Sequence, residues 1–367
     1  MVLTALTFIA ILSILVLVHE LGHFMVARFF GVRVDEFGFG LPPRITGKKI
    51  RGTLYSLNWL PVGGFVKLAG EDEEDTDREK LKKEPKGVRN QYFWAKSRFE
   101  RVCILLAGVA MNFLLAVGIT AFLLTRGIVE PTTIVHIEKV SVGSPAEKIG
   151  LRAGDVVSSI SFSEKGKIVT KELEDPGVLI ETVKAHAGET VTLLVVRGGE
   201  KVTYSIVPRK TPPAGEGPLG VTVTNLEKKI YPASQAPFFA VTINMKRIGQ
   251  MFTSLAGLLA KLVMGQPIPK GEVSGPVGIA QVTGEAVKYG WEAVLEFMSI
   301  LSLNLALLNI LPFPALDGGR LAFVVADKFG RKARPAVERA IHQAGMIILL
   351  ALLLLITVND ILRIVRG

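Results

Sequence analysis

Four long stretches, uncharged apart from His342 in the last of them, decide what this chain can fold into. They are residues 1–18, 102–125, 297–316 and 341–359, and each is close to the roughly 20 residues that a helix needs to cross a bilayer core. Hydrophobic residues make up 49% of the 367, and the mean hydropathy is +0.41, as in a membrane protein with a soluble part. We predict four transmembrane helices, within 1–26, 102–125, 297–322 and 341–363. The first lacks a basic n-region and a clear cleavage site, which favours a retained helix over a signal peptide.

The net charge of +10 is a topology signal rather than the mark of a nucleic-acid site. The predicted loop 27–101 holds 16 Lys and Arg residues. The short loop after the third span is also basic, with Lys328, Arg331, Lys332, Arg334 and Arg339. By the positive-inside rule both loops face the cytoplasm, so both termini and the segment 126–296 are expected outside.

The segments between the spans have different characters. Residues 36–70 are rich in glycine and β-formers, which predicts a membrane-associated β-hairpin region whose backbone must be covered by protein or line a cavity. The acidic and basic run 71–90 has the composition of a solvated loop. Alternating patterns on either side of a short capped helix predict a small inserted α+β domain over 128–210. Residues 211–296 are expected to form a linker and an interfacial amphipathic helix at 234–264.

The first span carries the motif His19-Glu20-Leu21-Gly22-His23. On a helix, positions i and i+4 stack on one face, so both imidazoles can reach one Zn²⁺ ion. Glu20 lies about 100° round the helix, where it can act as general base on a water at that ion. Ionisable groups inside a span need a compensating partner, and a cation supplies it.

Two histidines leave a catalytic zinc one protein ligand short. Asp317 follows the third span, which runs in the same direction as the first, so the two sets of groups can lie at one depth. Gly318 and Gly319 are expected to break the chain locally and let the carboxylate turn inward, although an aspartate before two glycines also caps helices and loops. His342 lies near this depth without a motif, and we interpret it as a packing or interfacial histidine.

These residues together resemble the site-2 protease family. The match consists of HELGH, PVGGFVKL (61–68), GSPAEKIGLRAGD (143–155) and NILPFPALDGG (309–319), and it covers essentially the whole chain. Within the family, the chain is similar to bacterial membrane zinc metalloproteases of the regulator-of-sigma type, with one PDZ domain where some members have two. Many members have histidine where this chain has Arg320.

The resemblance implies a polytopic α-helical membrane protein of the bacterial inner (plasma) membrane, with a membrane-associated β-hairpin and an inserted α+β PDZ-like domain outside the cytoplasm. It implies one Zn²⁺ per chain, held by His19, His23 and Asp317 near the cytoplasmic side, with Glu20 as base. Asn309 would hold substrate near the metal, or equally form an interhelical hydrogen bond. The edge strand of the hairpin would pair with unwound substrate; Gly63 and Gly64 would allow that close approach, or simply form a turn.

The expected reaction is intramembrane cleavage of single-pass membrane proteins, such as anti-sigma factors or remnant signal peptides, after an upstream site-1-type protease has removed their outer part. The PDZ-like domain could bind peptide ends or act as a size filter. Gly108 and Asn112 match a family G-x-x-x-N pattern but are also explained by helix packing. A zinc transporter and an inactive peptide-binding scaffold remain alternatives. Transport favours several ligand sets along a path, and a scaffold has no need of Glu20.

Overall fold

The computed structural model describes residues 2–71, 83–164, 166–266, 275–327 and 335–366. Contacts divide the chain into two compact units. Unit 1 comprises 1–125 and 232–367, and unit 2 is the insertion 126–231. Much of the acidic and basic run (72–82) and four of the basic residues after the third span (Lys328, Arg331, Lys332 and Arg334) lie outside the described residues.

Unit 1 contains long apolar helices and one hairpin. Its elements are α1 (Val2–Phe29), β1 (Val34–Ile50), β2 (Thr53–Leu68), α2 (Lys86–Arg89), α3 (Arg98–Arg126), α6 (Ala236–Val263), α7 (Pro276–Tyr289), α8 (Trp291–Ile310), α9 (Asp317–Ala326) and α10 (Pro335–Arg366). Within the described chain, α1, α3, α8 and most of α10 are long and apolar enough to cross a membrane, which confirms the four predicted helices by length and composition.

The hairpin forms a sheet that is wider than two strands, because each of its long strands bends and pairs along two separate stretches. Gly38 of β1 is paired with Phe65 on one side and with Ser56 on the other, and Lys48 pairs with Tyr55. The stretch 36–39 is therefore central, and the end of β2 forms an edge. The base of the hairpin is held by a buried apolar cluster shared with α1, α3 and α9: Ala27, Val32, Val34, Leu68, Phe93, Ile104, Leu105 and Val324.

The third predicted segment, 297–322, is not one helix. α8 ends at Ile310, a turn follows, and α9 begins at Asp317. Pro312 and Pro314 explain the interruption, because proline lacks the N–H that a helix interior needs and clashes with the preceding turn. The expected break at Gly318 and Gly319 was misplaced, since both are helical.

Unit 2 is an α+β domain. Its elements are β3 (Ile128–Val140), α4 (Pro145–Lys148), β4 (Val156–Glu164), β5 (Lys167–Glu172), α5 (Pro176–Ala185), β6 (Val191–Arg197), β7 (Glu200–Ile206) and β8 (Val221–Lys229). The sheet order is β7-β6-β4-β3-β8, with β5 on β4. The Ser144 side chain caps α4 by accepting the Glu147 N–H, and Gly198-Gly199 turn β6 into β7 with positive φ.

The predicted linker 211–296 needs correction. Residues 221–229 form β8, which pairs antiparallel with β3 and completes the sheet, so unit 2 extends past the predicted end at 210. The predicted interfacial helix at 234–264 is the continuous helix α6, and a further helix, α7, follows it. The start of α7 is fixed by Asp360 of α10, whose Oδ2 accepts the N–H groups of Gly275 and Gly278.

Candidate metal centre

Two histidines from α1 and an aspartate from α9 point their donor atoms at one another. Asp317 Oδ2 lies 3.0 Å from His19 Nε2 and 3.2 Å from His23 Nε2. The two Nε2 atoms lie 3.2 Å apart. Both histidines are only 6% exposed, whereas the Asp317 side chain is 20% exposed, so the cluster is buried but open on one side. Among the described residues, these three are the group with the geometry to hold a metal ion.

The donor set fits a zinc ion. Zinc bonded tetrahedrally at about 2.0–2.1 Å holds its ligand atoms about 3.3 Å apart, close to the 3.0–3.2 Å separations of this cluster. Asp317 Oδ2 is buried beside the two imidazoles and forms no hydrogen bond with the residues that the structure describes. A carboxylate oxygen in that position is costly unless a cation neutralises it. Two neutral imidazoles and a carboxylate are a ligand set of catalytic zinc.

Glu20 is placed beside this cluster by the hairpin. Its Oε2 accepts the Val66 backbone N–H at 3.0 Å, which fixes the carboxylate against the end of β2. The carboxylate interacts electrostatically with His19, His23 and Asp317 without belonging to the group of converging donor atoms. Glu20 therefore lies beside the candidate ligands rather than among them.

The turn before Asp317 is supported from α10. Ala315 has a positive φ of 81°, and its N–H donates to His342 Nδ1 at 3.0 Å. His342 thus has a definite supporting role that its sequence context did not indicate. Gly318 and Gly319 are needed for close approach, since a Cβ there would lie 2.1 Å from the Leu311 carbonyl oxygen and 2.3 Å from that of Phe313. The turn folds tightly onto the start of α9 and so fixes the carboxylate.

Arg320 forms an ion pair with Glu71. Glu71 lies three residues after the end of β2, and Arg320 lies one helical turn after Asp317 on α9. The pair therefore ties the helix that carries the third ligand to the strand that holds Glu20.

The face of α3 toward the histidines is fitted to them. His23 Nδ1 lies 2.8 Å from the Ile104 carbonyl oxygen, and the Asn112 side-chain amide lies 3.3 Å from His19 Nδ1. Between them, a Cβ on Gly108 would lie 2.3 Å from His23 Nε2. Plain helix packing is thus an incomplete explanation of Gly108 and Asn112. The G-x-x-x-N spacing was the available signal, because it places both residues on one helix face.

The remaining predicted site residues lie near the cluster or near α1. Asn309 Nδ2 is 3.4 Å from His19 Nε2. Gly63 has a positive φ of 77° and faces Val16 of α1, and a Cβ on Gly64 would lie 2.8 Å from the Gly38 carbonyl oxygen. Turn geometry and internal packing account for both glycines. Their role in admitting substrate stays a prediction, as does that of Asn309.

Comparison with known proteins identifies the family of this chain. The family model described as peptidase family M50 matches residues 7–352. A protein of Clostridium perfringens described as "Putative zinc metalloprotease" is 34% identical over 352 residues, covering 95% of this chain and 96% of its own length. A Fusobacterium nucleatum protein of the same description is 31% identical over 98% of both chains, and one from Agrobacterium fabrum is 30% identical over 96% of this chain and 94% of its own.

Among solved structures, the PDZ domain of an SdrC-like protein from Listeria monocytogenes aligns with 25% of this chain and 87% of its own length. The identity is 20% and the TM-score 0.21, too low to carry an argument. The family match and the full-length relatives are decisive by themselves. The chain belongs to peptidase family M50 and is a metalloprotease.

Proposed function

We propose that this protein is an intramembrane zinc endopeptidase that cleaves single-pass membrane proteins within or near their transmembrane segment. The observation that carries the proposal is the convergence of His19, His23 and Asp317 within 3.2 Å of one another, with Glu20 beside them, among helices long enough to span a bilayer. Relatives that align with this chain along almost their whole length are described as zinc metalloproteases, which supports zinc as the cofactor.

His19 and His23 through Nε2 and Asp317 through Oδ2 are the residues that would hold the ion, one per chain. When bound, zinc supplies a Lewis acid that lowers the pKa of a water molecule to about 7. Glu20 then accepts the proton of the attacking water and later delivers it to the leaving amide nitrogen. The Val66 N–H keeps the carboxylate of Glu20 oriented for both transfers.

The hairpin offers a place for the substrate backbone. A transmembrane helix must unwind before its amide bond can be attacked, and the freed N–H and C=O groups need partners inside a membrane. The end of β2 is an edge of the hairpin and lies beside Glu20, which already accepts the Val66 N–H. An extended substrate segment added to this edge would have its backbone satisfied beside the metal. The Asn309 amide, next to His19 Nε2, would hold the scissile carbonyl.

The basic loops support a topology with the metal centre near the cytoplasmic side and both termini outside. The substrates of a protease with this topology would include anti-sigma factors and remnant signal peptides. An upstream protease would act first by removing their outer part.

The test is cleavage of a single-pass model substrate by the purified protein in liposomes. Glu20→Gln should lower the cleavage rate by about 10²–10⁴-fold, as expected for loss of a general base, with zinc still bound. Asp317→Asn, a similarly isosteric change, should instead lower the zinc content. Full activity of Glu20→Gln would overturn the proposed mechanism. Zinc flux into the liposomes without cleavage would show a transporter instead.

A further inference from the structure

The two histidines can bind a metal through Nε2 only if each carries its hydrogen on Nδ1. The Nε2 atoms are the ones that face Asp317 Oδ2, so they must keep their lone pairs. A neutral imidazole has one donor and one acceptor nitrogen, and the hydrogen bond made by the outer nitrogen decides which is which. Each Nδ1–H therefore needs an acceptor, and α3 is the helix against which both Nδ1 atoms lie.

For His23 the acceptor is part of the backbone. Its Nδ1 lies 2.8 Å from the carbonyl oxygen of Ile104, a group that can only accept. The hydrogen of His23 is thereby fixed on Nδ1. Any side chain at position 104 would provide the same carbonyl, so this half of the arrangement does not depend on residue type.

For His19 the partner is the side chain of Asn112, which is fully buried. The carboxamide nitrogen lies 3.3 Å from His19 Nδ1, while Oδ1 has no hydrogen-bond partner among the described residues. An amide donor at Nδ1 would force the hydrogen of His19 onto Nε2 and remove the lone pair that faces the other ligands. A half-turn of the carboxamide exchanges its nitrogen and oxygen and brings Oδ1 to Nδ1.

We propose that Asn112 is a positioning residue of the metal centre, whose Oδ1 accepts the Nδ1–H of His19 and so keeps Nε2 available to zinc. The inference rests on the proposed zinc site. Ile104, Gly108 and Asn112 lie at successive i+4 positions of α3, so one helix face holds both imidazoles. Gly108 leaves the room they occupy. Ser302 of α8 donates to the Asn112 carbonyl oxygen at 2.8 Å and fixes this part of α3.

The experiment measures zinc affinity by chelator competition on the purified full-length protein, and needs no substrate. Asn112→Leu should weaken zinc binding by about 10–100-fold, the usual effect of removing the partner of a ligating histidine. Asn112→Asp should stay within a few-fold of the wild type, because a carboxylate can only accept. Asn244→Leu is the matched control: Asn244 is equally buried on α6, but its amide donates to Thr120 rather than to a ligand.

The outcomes separate the two proposals. Asn112→Leu with wild-type zinc affinity overturns the positioning role, as does an equal loss in Asn244→Leu, which would indicate a general packing effect. If Asn112→Leu does not fold, Asn112→Asp decides alone, since loss of zinc from a folded Asp variant would mean that the native amide donates. A wild-type protein that binds no zinc would instead refute the metal site and hence the proposed function.

Discussion

The interiors of the two units are built on opposite principles. Unit 2 has one core of fifteen buried apolar residues, and its buried Ser144 and Asp155 serve a helix cap and a turn at the edge of that core. Unit 1 buries polar side chains in the middle of long helices and exposes large apolar ones. The Thr120 hydroxyl bonds Asn244 and Ser299, while Ile347 and Leu354 on α10 are 69% and 65% exposed.

The difference follows from the solvent that each unit meets. In water, removing apolar area from solvent drives folding, so apolar residues are collected inside. In a bilayer the lipid is as apolar as leucine, and helices associate through close packing and hydrogen bonds. A polar interior is thus the ordinary interior of a membrane unit, and the metal centre is one member of a series of buried polar contacts between helices.

The strongest test of this comparison replaces a buried apolar residue of unit 2 with a polar one, and a buried polar residue of unit 1 with an apolar one. Ile160, fully buried in β4, should not tolerate asparagine: Ile160→Asn loses apolar burial and buries an unpaired amide, at a cost of about 3–5 kcal/mol. Asn244→Leu in unit 1 should cost only about 0.6 kcal/mol, typical of one interhelical hydrogen bond. Hydrogen exchange of β4 and α6 in the full-length protein would measure both, and equal costs would contradict the comparison.

A smaller effect is expected from an added methyl group on α3. Gly108→Ala would push a Cβ into both imidazoles, and we expect a loss of about 1–3 kcal/mol together with weakened zinc binding. Gly118→Ala on the same helix meets nothing within 4 Å. It should be stabilising by about 0.5–1 kcal/mol, because alanine favours helix over glycine. Thermal unfolding and zinc content of the two variants test this prediction. If Gly108→Ala changes neither, α3 does not fit the histidines closely.

The smallest effect concerns the acid stability of unit 2. Two hydrogen bonds from the Arg197 guanidinium hold the pKa of Asp155 below its usual range. Because the folded pKa is lowered, this contribution is complete above the ordinary value of about 3.9 and is lost as the pH falls through the folded pKa. Hydrogen exchange of unit 2 between pH 5 and 3 should show less acid sensitivity in Asp155→Asn than in the wild type. If hydrogen exchange changes equally with pH in the two proteins, the Asp155–Arg197 pair does not contribute to acid sensitivity.

The parts of the candidate site that are formed by side chains could be predicted from the sequence, whereas those formed by backbone groups could not. The i, i+4 spacing of His19 and His23 fixes their proximity on any helix, and the shared depth of two parallel spans identified Asp317 as their partner. The Val66 N–H and the Ile104 carbonyl could not be found in this way, because every residue has these groups. The role of His342 was missed because it bonds the backbone N–H of Ala315, and the sequence does not show that the folded chain brings these two residues together.

The fold was predictable to a similar extent. Apolar length predicted the four long helices, and a serine cap with a following proline predicted α4. The strand β8 was missed because 210–218, rich in proline and glycine, was interpreted as an exit from the domain, whereas it is the turn before the closing strand. The interruption after Ile310 was missed because apolar composition continues through Pro312 and Pro314, and hydropathy alone does not register a broken helix.

The pairing of β3 with β8 has an evolutionary consequence. Ile128 and Lys229, close to the two ends of unit 2, are direct antiparallel partners. Paired residues of this kind lie about 5 Å apart, so the chain leaves the domain almost where it entered. A gene could therefore lose, exchange or duplicate this segment while the flanking helices remain joined over nearly the same gap. Recombination can therefore change unit 2 while it leaves unit 1, which holds the candidate metal centre, intact.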